Sequence, residues 1–341
     1  MRLARYELHG VAQDAAVVGL PGEERLHALR AGTTVLDLAT AGLAAAAEAA
    51  AWATRTSPAV PLDAVRLLPP LEPPSVRDFV TFEEHVEGVV RSVSGGGGVP
   101  DAWYDAPTFY FTNPHSMIGA HDDVPVPPGC RVLDFELEVA VVVAGSGSNL
   151  SAASARDHVF GYTIFNDWSA RDLQGREMQV NLGPAKGKDS ASTLGPWIVT
   201  ADELEQHRDD EGYLALGLDA SIDGRPVGRD LLSNAGWTFE EMIAYASRGT
   251  WVRPGDVLAS GTCGNGGCLG ELWGRSGAQV PPPLAPGDVV RLDVEGIGTV
   301  ENRVVPGPDL ADLPVVPRAR SRERRRHRLV GTSVATPVEG R

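Results

Sequence analysis

Asp134-Phe135-Glu136-Leu137-Glu138-Val139-Ala140-Val141-Val142-Val143 sets two carboxylates two residues apart inside a run that otherwise reads as a buried strand. Residues two apart on a strand point to the same face, so Glu136 and Glu138 project side by side into one site. Two adjacent anions facing a core are costly unless a cation or a proton offsets them, and a divalent metal is the natural candidate. The same residues also read as a half-exposed edge strand with a solvated acidic face. Further along, Phe165-Asn166-Asp167-Trp168-Ser169-Ala170-Arg171-Asp172-Leu173-Gln174 follows a strand ending in Ile164-Phe165 and delivers a third carboxylate with a cluster of polar side chains. Three carboxylates suit a hard, oxygen-preferring ion such as Mg²⁺, Mn²⁺ or Ca²⁺ rather than zinc.

Bulk properties bound the reading. The 341 residues, 43% hydrophobic and 22% charged, fit a globular protein with room for one large domain and a smaller one. No apolar run reaches the roughly 18 residues of a membrane span. The start, Met1-Arg2-Leu3-Ala4-Arg5-Tyr6-Glu7-Leu8, lacks the apolar core of a signal peptide and reads as a strand. Cys130, Cys263 and Cys268 are odd in number and show no framework spacing, so a reducing, cytoplasmic setting without structural disulfides is expected. A zinc or nucleophile role for Cys263 and Cys268 is set aside, because no Cys or His pair completes a site nearby in sequence.

The net charge is −15, but residues 317–341 hold eight arginines against Glu323 and Glu339. That tail carries +6 and the remainder −21, so nucleic acid is not an expected partner of the body. The Arg318 to Arg328 run reads as a solvated, disordered terminus or, alternatively, as a tether to an anionic polymer.

Residues 1–56 alternate short apolar runs with glycine turns and finish in an Ala-rich helix near Leu43 to Ala53. Pro58, Pro61, Pro69, Pro70, Pro73 and Pro74 mark an extended connector over 57–76. A small α+β domain over 1–56 is therefore expected ahead of a larger one over 77–305, followed by an extension over 306–341. Phe82 to Val93 reads as a helix ending before a flexible Gly95 to Gly98 loop. Thr238-Phe239-Glu240-Glu241 reads as a capping box opening a helix to about Ser247. No glycine-rich phosphate loop follows a strand, and the alternation does not fit regular βαβ units, so a nucleotide-binding domain is not expected.

The Glu136-Leu137-Glu138 strand and the Asn166-Asp167-Trp168-Ser169-Ala170-Arg171-Asp172-Leu173-Gln174 element resemble the fumarylacetoacetate hydrolase family over roughly residues 75 to 305. Further matching elements follow in family order. They are Gly187-Lys188, Thr193-Leu194-Gly195-Pro196-Trp197, Gly261-Thr262 and Gly267-Cys268-Leu269-Gly270-Glu271-Leu272. The resemblance implies an α+β fold built on a mixed β-roll, usually dimeric, with a small N-terminal domain in longer members. It implies that Asp78 joins Glu136, Glu138 and Asp167 as metal ligands, with Mg²⁺ the expected ion. It also implies that His85 is a general base paired with Glu271. Taken alone, Asp78 reads equally as a helix cap and His85 as a structural histidine, and His115 is a rival base.

Lysine usage adds an independent observation. Lys186 and Lys188 are the only lysines, both in Gly183-Pro184-Ala185-Lys186-Gly187-Lys188-Asp189, while every other basic side chain apart from histidine is arginine. An ammonium is a compact point charge suited to carboxylate ligands or a developing enolate. Lys188 takes the family's position. By the same resemblance Tyr110, Arg171, Gln174 and Thr262 contact substrate.

The implied reaction is hydrolysis of a carbon–carbon bond in a 1,3-dicarbonyl or acylpyruvate-type acid, with His85 and Glu271 activating water. Val80 stands where the best-known hydrolases carry a tyrosine, Met178 replaces a substrate-contacting tyrosine, and Arg91 is not at the spacing of their oxyanion arginine. A substrate other than fumarylacetoacetate itself is therefore expected. Hydratase or dehydratase, decarboxylase and isomerase chemistry on a 2-oxo acid are the alternatives within the superfamily. A non-catalytic protein that binds an anionic polymer through its basic tail is the alternative outside it. Deleting residues 317–341 separates the last from the rest: an enzyme should keep its turnover nearly intact, whereas a tail-dependent binder should lose function.

Overall fold

A computed structural model describes residues 1–94 and 98–310 of the chain. The expected loop residues Gly95 to Gly97 and the Arg318 to Arg328 run lie outside the described residues. Helices and strands mix as an α+β fold should. A twelve-stranded mixed sheet is paired with a five-stranded one, and smaller two-stranded pieces complete the set. The central strands of the large sheet run in the spatial order Ser192–Thr200, Val159–Asp167, Leu137–Val143, Val257–Ala259, Val76–Phe79 and Phe109–Thr112.

The strand Leu137–Val143 is buried at every residue and has neighbours on both sides. That excludes the edge-strand reading of the Glu136-Leu137-Glu138 stretch. Alternation then divides the residues of this strand between two cores. Leu137, Val139, Val141 and Val143 pack into one apolar cluster, while Ala140 and Val142 belong to another, with Val76, Phe165, Leu194, Val257 and Ala259. This second face is covered in part by the helices Val35–Ala41 and Leu43–Thr56, which bury Val35, Leu38, Ala39, Ala46 and Ala53 in the same cluster. The carboxylates extend this apolar face. Asp78 follows Val76 by two residues, Glu138 precedes Ala140 by two, and Asp167 follows Phe165 by two.

The first residues contribute to the same sheet. Arg2–Leu8 pairs antiparallel with Ser192–Thr200, and Met1–Gly307 form one compact unit. The proline-rich stretch supplies short strands as well as extended chain. Ala59–Pro61 pairs with Arg25–Ala28, and Arg66–Leu68 pairs with Arg2–Leu8. The helix after the connector runs Glu83–Ser94, and Thr238 caps Phe239–Ala246 with the expected reciprocal box to Glu241.

Two local devices fix the strand that carries Asp78. Arg77 and Asp256, both buried, form an ion pair at 3.1 Å across the parallel strands Val76–Phe79 and Val257–Ala259. Asp256 also accepts from Ser75 Oγ at 2.9 Å and the Arg253 backbone N–H at 3.0 Å. Gly261, with φ +80°, lies so close to the same strand that a Cβ there would collide with the Phe79 carbonyl oxygen. Removing one member of a buried pair leaves the other charge uncompensated, at a cost of roughly 3–5 kcal/mol. Arg77→Ala should therefore lower the urea midpoint by that equivalent with the slope unchanged, and a loss below about 1 kcal/mol would contradict the assignment.

Candidate active site

Strand register brings the acids together. Asp78 is paired with Tyr110 across the antiparallel strands Val76–Phe79 and Phe109–Thr112, and Asp167 ends the strand Val159–Asp167 beside Leu137–Val143. Glu136 sits one residue before its strand. Its backbone N–H donates to Asn166 Oδ1 at 2.9 Å, and its carbonyl accepts from the Asp167 N–H at 3.3 Å. Carboxylate oxygens of Asp78, Glu136 and Asp167 lie within 4.8 Å of one another, and all three residues are buried. Glu138 is not part of that triad. Its oxygens accept from the Gly261 N–H at 3.1 Å and from Thr262 Oγ1 at 3.3 Å. Thr262, expected at the substrate, is thus bonded to an acid.

Cations and hydroxyls answer part of this charge. Lys188 Nζ donates to Glu136 Oε2 and to Asp167 Oδ2, both at 2.5 Å. The Tyr110 hydroxyl lies against Asp78 Oδ2 at 2.7 Å and against Asp167 Oδ2. Arg171 spans Asp134 and Glu136, with NH2 to Glu136 Oε1 at 2.7 Å, Nε to Asp134 Oδ2 at 2.9 Å and NH1 to Gln174 Oε1 at 3.2 Å. Three guanidinium nitrogens are therefore engaged within the protein. Asp78 Oδ1 and Asp167 Oδ1 are buried with no hydrogen-bond partner among the described residues. Orphaned anionic oxygens beside a three-carboxylate cluster are the donor set of a hard divalent cation, and Asp78, Glu136 and Asp167 fit one.

Burial, and next the charge of Asp167, push Asp78 well above the ordinary carboxylate range. Burial and the Asp78 charge do the same to Glu138, and burial raises Asp167. For Glu136, burial acts upward but Lys188 and Arg171 outweigh it and hold the group below its usual value. Burial works to lower Lys188, yet Asp167 and Glu136 hold it above the usual lysine range. Those two acids therefore favour the charged ammonium.

His85 lies on the helix Glu83–Ser94, is buried, and is pushed down to about 4 by that burial, so its imidazole is neutral near pH 7. Its Nδ1 faces Cys268 Sγ at 3.7 Å. Glu271 stands on the helix Leu269–Ser276, whose approach to the His85 helix is so close that a Cβ on Gly88 would meet Glu271 Cγ at 2.5 Å. Among the described residues, however, Glu271 makes no hydrogen bond to His85. Its Oε1 is 2.6 Å from Arg275 NH2, and its Oε2 accepts from the Gly266 N–H at 3.4 Å. Burial lifts its carboxyl to about 7 against the pull of Arg275. His115, the rival base, lies on the short turn Pro114–Ser116, outside both ligand clusters around His85 and the acids.

Two residues of this site have no role in the sequence reading. Asp134 accepts from the Leu269 and Gly270 backbone N–H groups at 2.8 and 2.9 Å, and so ties the N-terminus of the Glu271 helix to Arg171. Its signal was its place at the head of the acidic strand. Cys268 caps the same helix by accepting from the Glu271 N–H at 3.3 Å. Nothing near Cys268 in sequence marks a partner, because His85 comes from a distant part of the chain.

A mixed β-roll brings its central strands together at a buried acid cluster beside a buried histidine. Residues 75–305 match the family model described as fumarylacetoacetate (FAA) hydrolase C-terminal. The chain belongs to the fumarylacetoacetate hydrolase family. It is 30% identical over 307 residues to the fumarylacetoacetase of Arabidopsis thaliana, covering 72% of each chain. It is 31% identical over 188 residues to an oxaloacetate tautomerase of Bacillus subtilis, covering 55% of this chain and 56% of that one. The solved fumarylacetoacetate hydrolase of Exiguobacterium antarcticum superposes with a TM-score of 0.69 at 26% identity, over 90% of this chain and 99% of that one.

The raised carboxyls give the cluster a pH signature. Without a cation, Asp78, Glu138 and Asp167 retain protons above the usual range, and a bound cation must expel them. Affinity for Mg²⁺ or Mn²⁺ should therefore rise with pH, by about tenfold per unit for each proton displaced. Calorimetry in buffers of different ionisation enthalpy should detect protons released. A pH-independent affinity with no proton release would contradict this electrostatic picture.

Proposed function

We propose that the chain is an enzyme that hydrolyses a carbon–carbon bond in a small 1,3-dicarbonyl or acylpyruvate-type acid, with Mg²⁺ or Mn²⁺ as cofactor. The observation that carries this reading is the buried, neutral His85, with a ring nitrogen within 4.8 Å of a Glu136 oxygen. A base and the acid cluster are therefore immediate neighbours. Asp78, Glu136 and Asp167 would hold a divalent cation, which would supply Lewis acidity.

The protein's own residues account for the remaining steps. With Nδ1 turned to Cys268, His85 takes a proton from water at Nε2. Lys188 keeps its proton at Nζ between Glu136 and Asp167, and its charge offsets the anion that develops as the bond breaks. Arg171 holds Glu136 in place and orients Gln174 through NH1, which leaves the Gln174 amide nitrogen free to donate to a substrate oxygen.

A second reading has its own support. Glu271 is directed to Arg275 and the Gly266 backbone, so the carboxylate beside His85 is Glu136 of the acid cluster and not Glu271. A base set against the acid cluster also serves transfer of a proton at carbon, as in tautomerising a 2-oxo acid, the activity named for the Bacillus subtilis relative. Product analysis separates the two, since hydrolysis yields two fragments and tautomerisation an isomer of the same mass.

His85→Ala should lower kcat by about 10²–10⁴-fold on an acylpyruvate panel while Mg²⁺ affinity stays close to wild type. The sign of the pH effect follows from the depressed imidazole. The base is neutral and active above about 4, so the acidic limb of kcat/KM should fall below the ordinary histidine value of roughly 6.5. Unchanged turnover in the variant would remove His85 from the mechanism.

A further inference from the structure

The acid cluster fits a hard ion, but a second ligand set of different chemistry overlaps it. A ring nitrogen of His85, an oxygen of Glu136 and Cys268 Sγ lie within 4.8 Å of one another, all on buried residues. We propose that His85, Cys268 and Glu136 form a site for a thiophilic divalent ion of the zinc type, distinct from the oxygen-only site and sharing Glu136 with it.

Geometry supports one edge directly. Tetrahedral zinc, with Zn–N of about 2.0–2.1 Å and Zn–S of about 2.3 Å, holds nitrogen and sulfur roughly 3.6 Å apart. His85 Nδ1 and Cys268 Sγ are already 3.7 Å apart. The Glu136 edge lies within 4.8 Å, and bringing it to ligand distance exchanges one of the carboxylate's bonds to Arg171 and Lys188 for the ion. Three protein ligands leave the fourth position for solvent.

Ligand chemistry separates the two sets. Asp78, Glu136 and Asp167 offer oxygen alone and favour Mg²⁺ or Mn²⁺, whereas imidazole and thiolate favour zinc. The sulfur is also more than its capping role requires. Cys268 caps the helix Leu269–Ser276, a position where serine is the stronger residue, so a thiol there adds a soft ligand at the expense of a better cap. Burial, and next the Asp134 charge, hold the Cys268 thiol well above its usual range, so an ion binding there must displace the thiol proton. On binding, Cys268 forms a sulfur–metal bond and releases its thiol proton to solvent, while His85 donates a lone pair without losing a proton.

Occupancy takes the His85 lone pair, so under the hydrolase reading a thiophilic ion inhibits. The site itself can be tested without turnover. Co²⁺ replaces zinc as a spectroscopic probe, because a cobalt–thiolate bond gives an intense near-ultraviolet charge-transfer band that oxygen ligands do not. The full-length protein freed of metal should show this band with Co²⁺. Cys268→Ser should lose it, and Cys263→Ser, which alters the other buried thiol, should keep it. A wild-type spectrum from oxygen ligands alone would overturn the proposal, as would a band that survives Cys268→Ser. Because the band reports ligation, the result stands whether or not the panel of acids is turned over.

Discussion

Like charges crowded into a dry place organise this molecule. Asp78, Glu136 and Asp167 bring oxygens within 4.8 Å of one another, and Glu138 adds a fourth acid on the same sheet face. Two unit charges at that separation repel by roughly 3 kcal/mol at an effective dielectric of about 20. Three such pairs approach roughly 10 kcal/mol, comparable with the whole stability of a domain, about 5–15 kcal/mol. Ionised together, the acids need cations. Lys188 and Arg171 supply two, and the unpartnered oxygens of Asp78 and Asp167 point to a third.

The surrounding fold is arranged to hold these charges in register. Val76, Ala140, Val142 and Phe165 fill one end of a sheet face and the acids its continuation, so a single alternation places both core and site. Arg77 and Asp256 pin the strand of Asp78 to its neighbour from below. Asp134 joins the helix of Cys268 and Glu271 to Arg171, and through it to Glu136. A shift of that helix would be felt at the acid cluster through one carboxylate and one guanidinium.

What could be read in the sequence follows from the range of each interaction. Glu136 and Glu138 were legible because strand alternation is local, and Asp167 because it ends an apolar run. The sequence reading treats the four acids as one ligand set, yet Glu138 is bonded to Gly261 and Thr262, a contact set by strand pairing across more than a hundred residues. Asp78 and His85 were visible only through family resemblance, since nothing near them in sequence marks their neighbours in space. The approach of Cys268 to His85 is of the same kind, 183 residues apart along the chain. The proline-rich segment pointed to extended chain but gave no hint that it would add strands to the sheet, because edge pairing depends on partners far away. Glu271 carries a mixed outcome: the resemblance located the residue, while its orientation depends on Arg275 one turn later on its own helix.

The central claim is that the acid cluster is a divalent-cation site, and the direct measurement is a crystal structure with Mn²⁺ and anomalous diffraction. A single strong anomalous peak within bonding distance of Asp78, Glu136 and Asp167 is the predicted result. Well-ordered carboxylates with no peak at saturating Mn²⁺, or a peak elsewhere, would mean that protons, Lys188 and Arg171 neutralise the cluster, and the account of the site would fail.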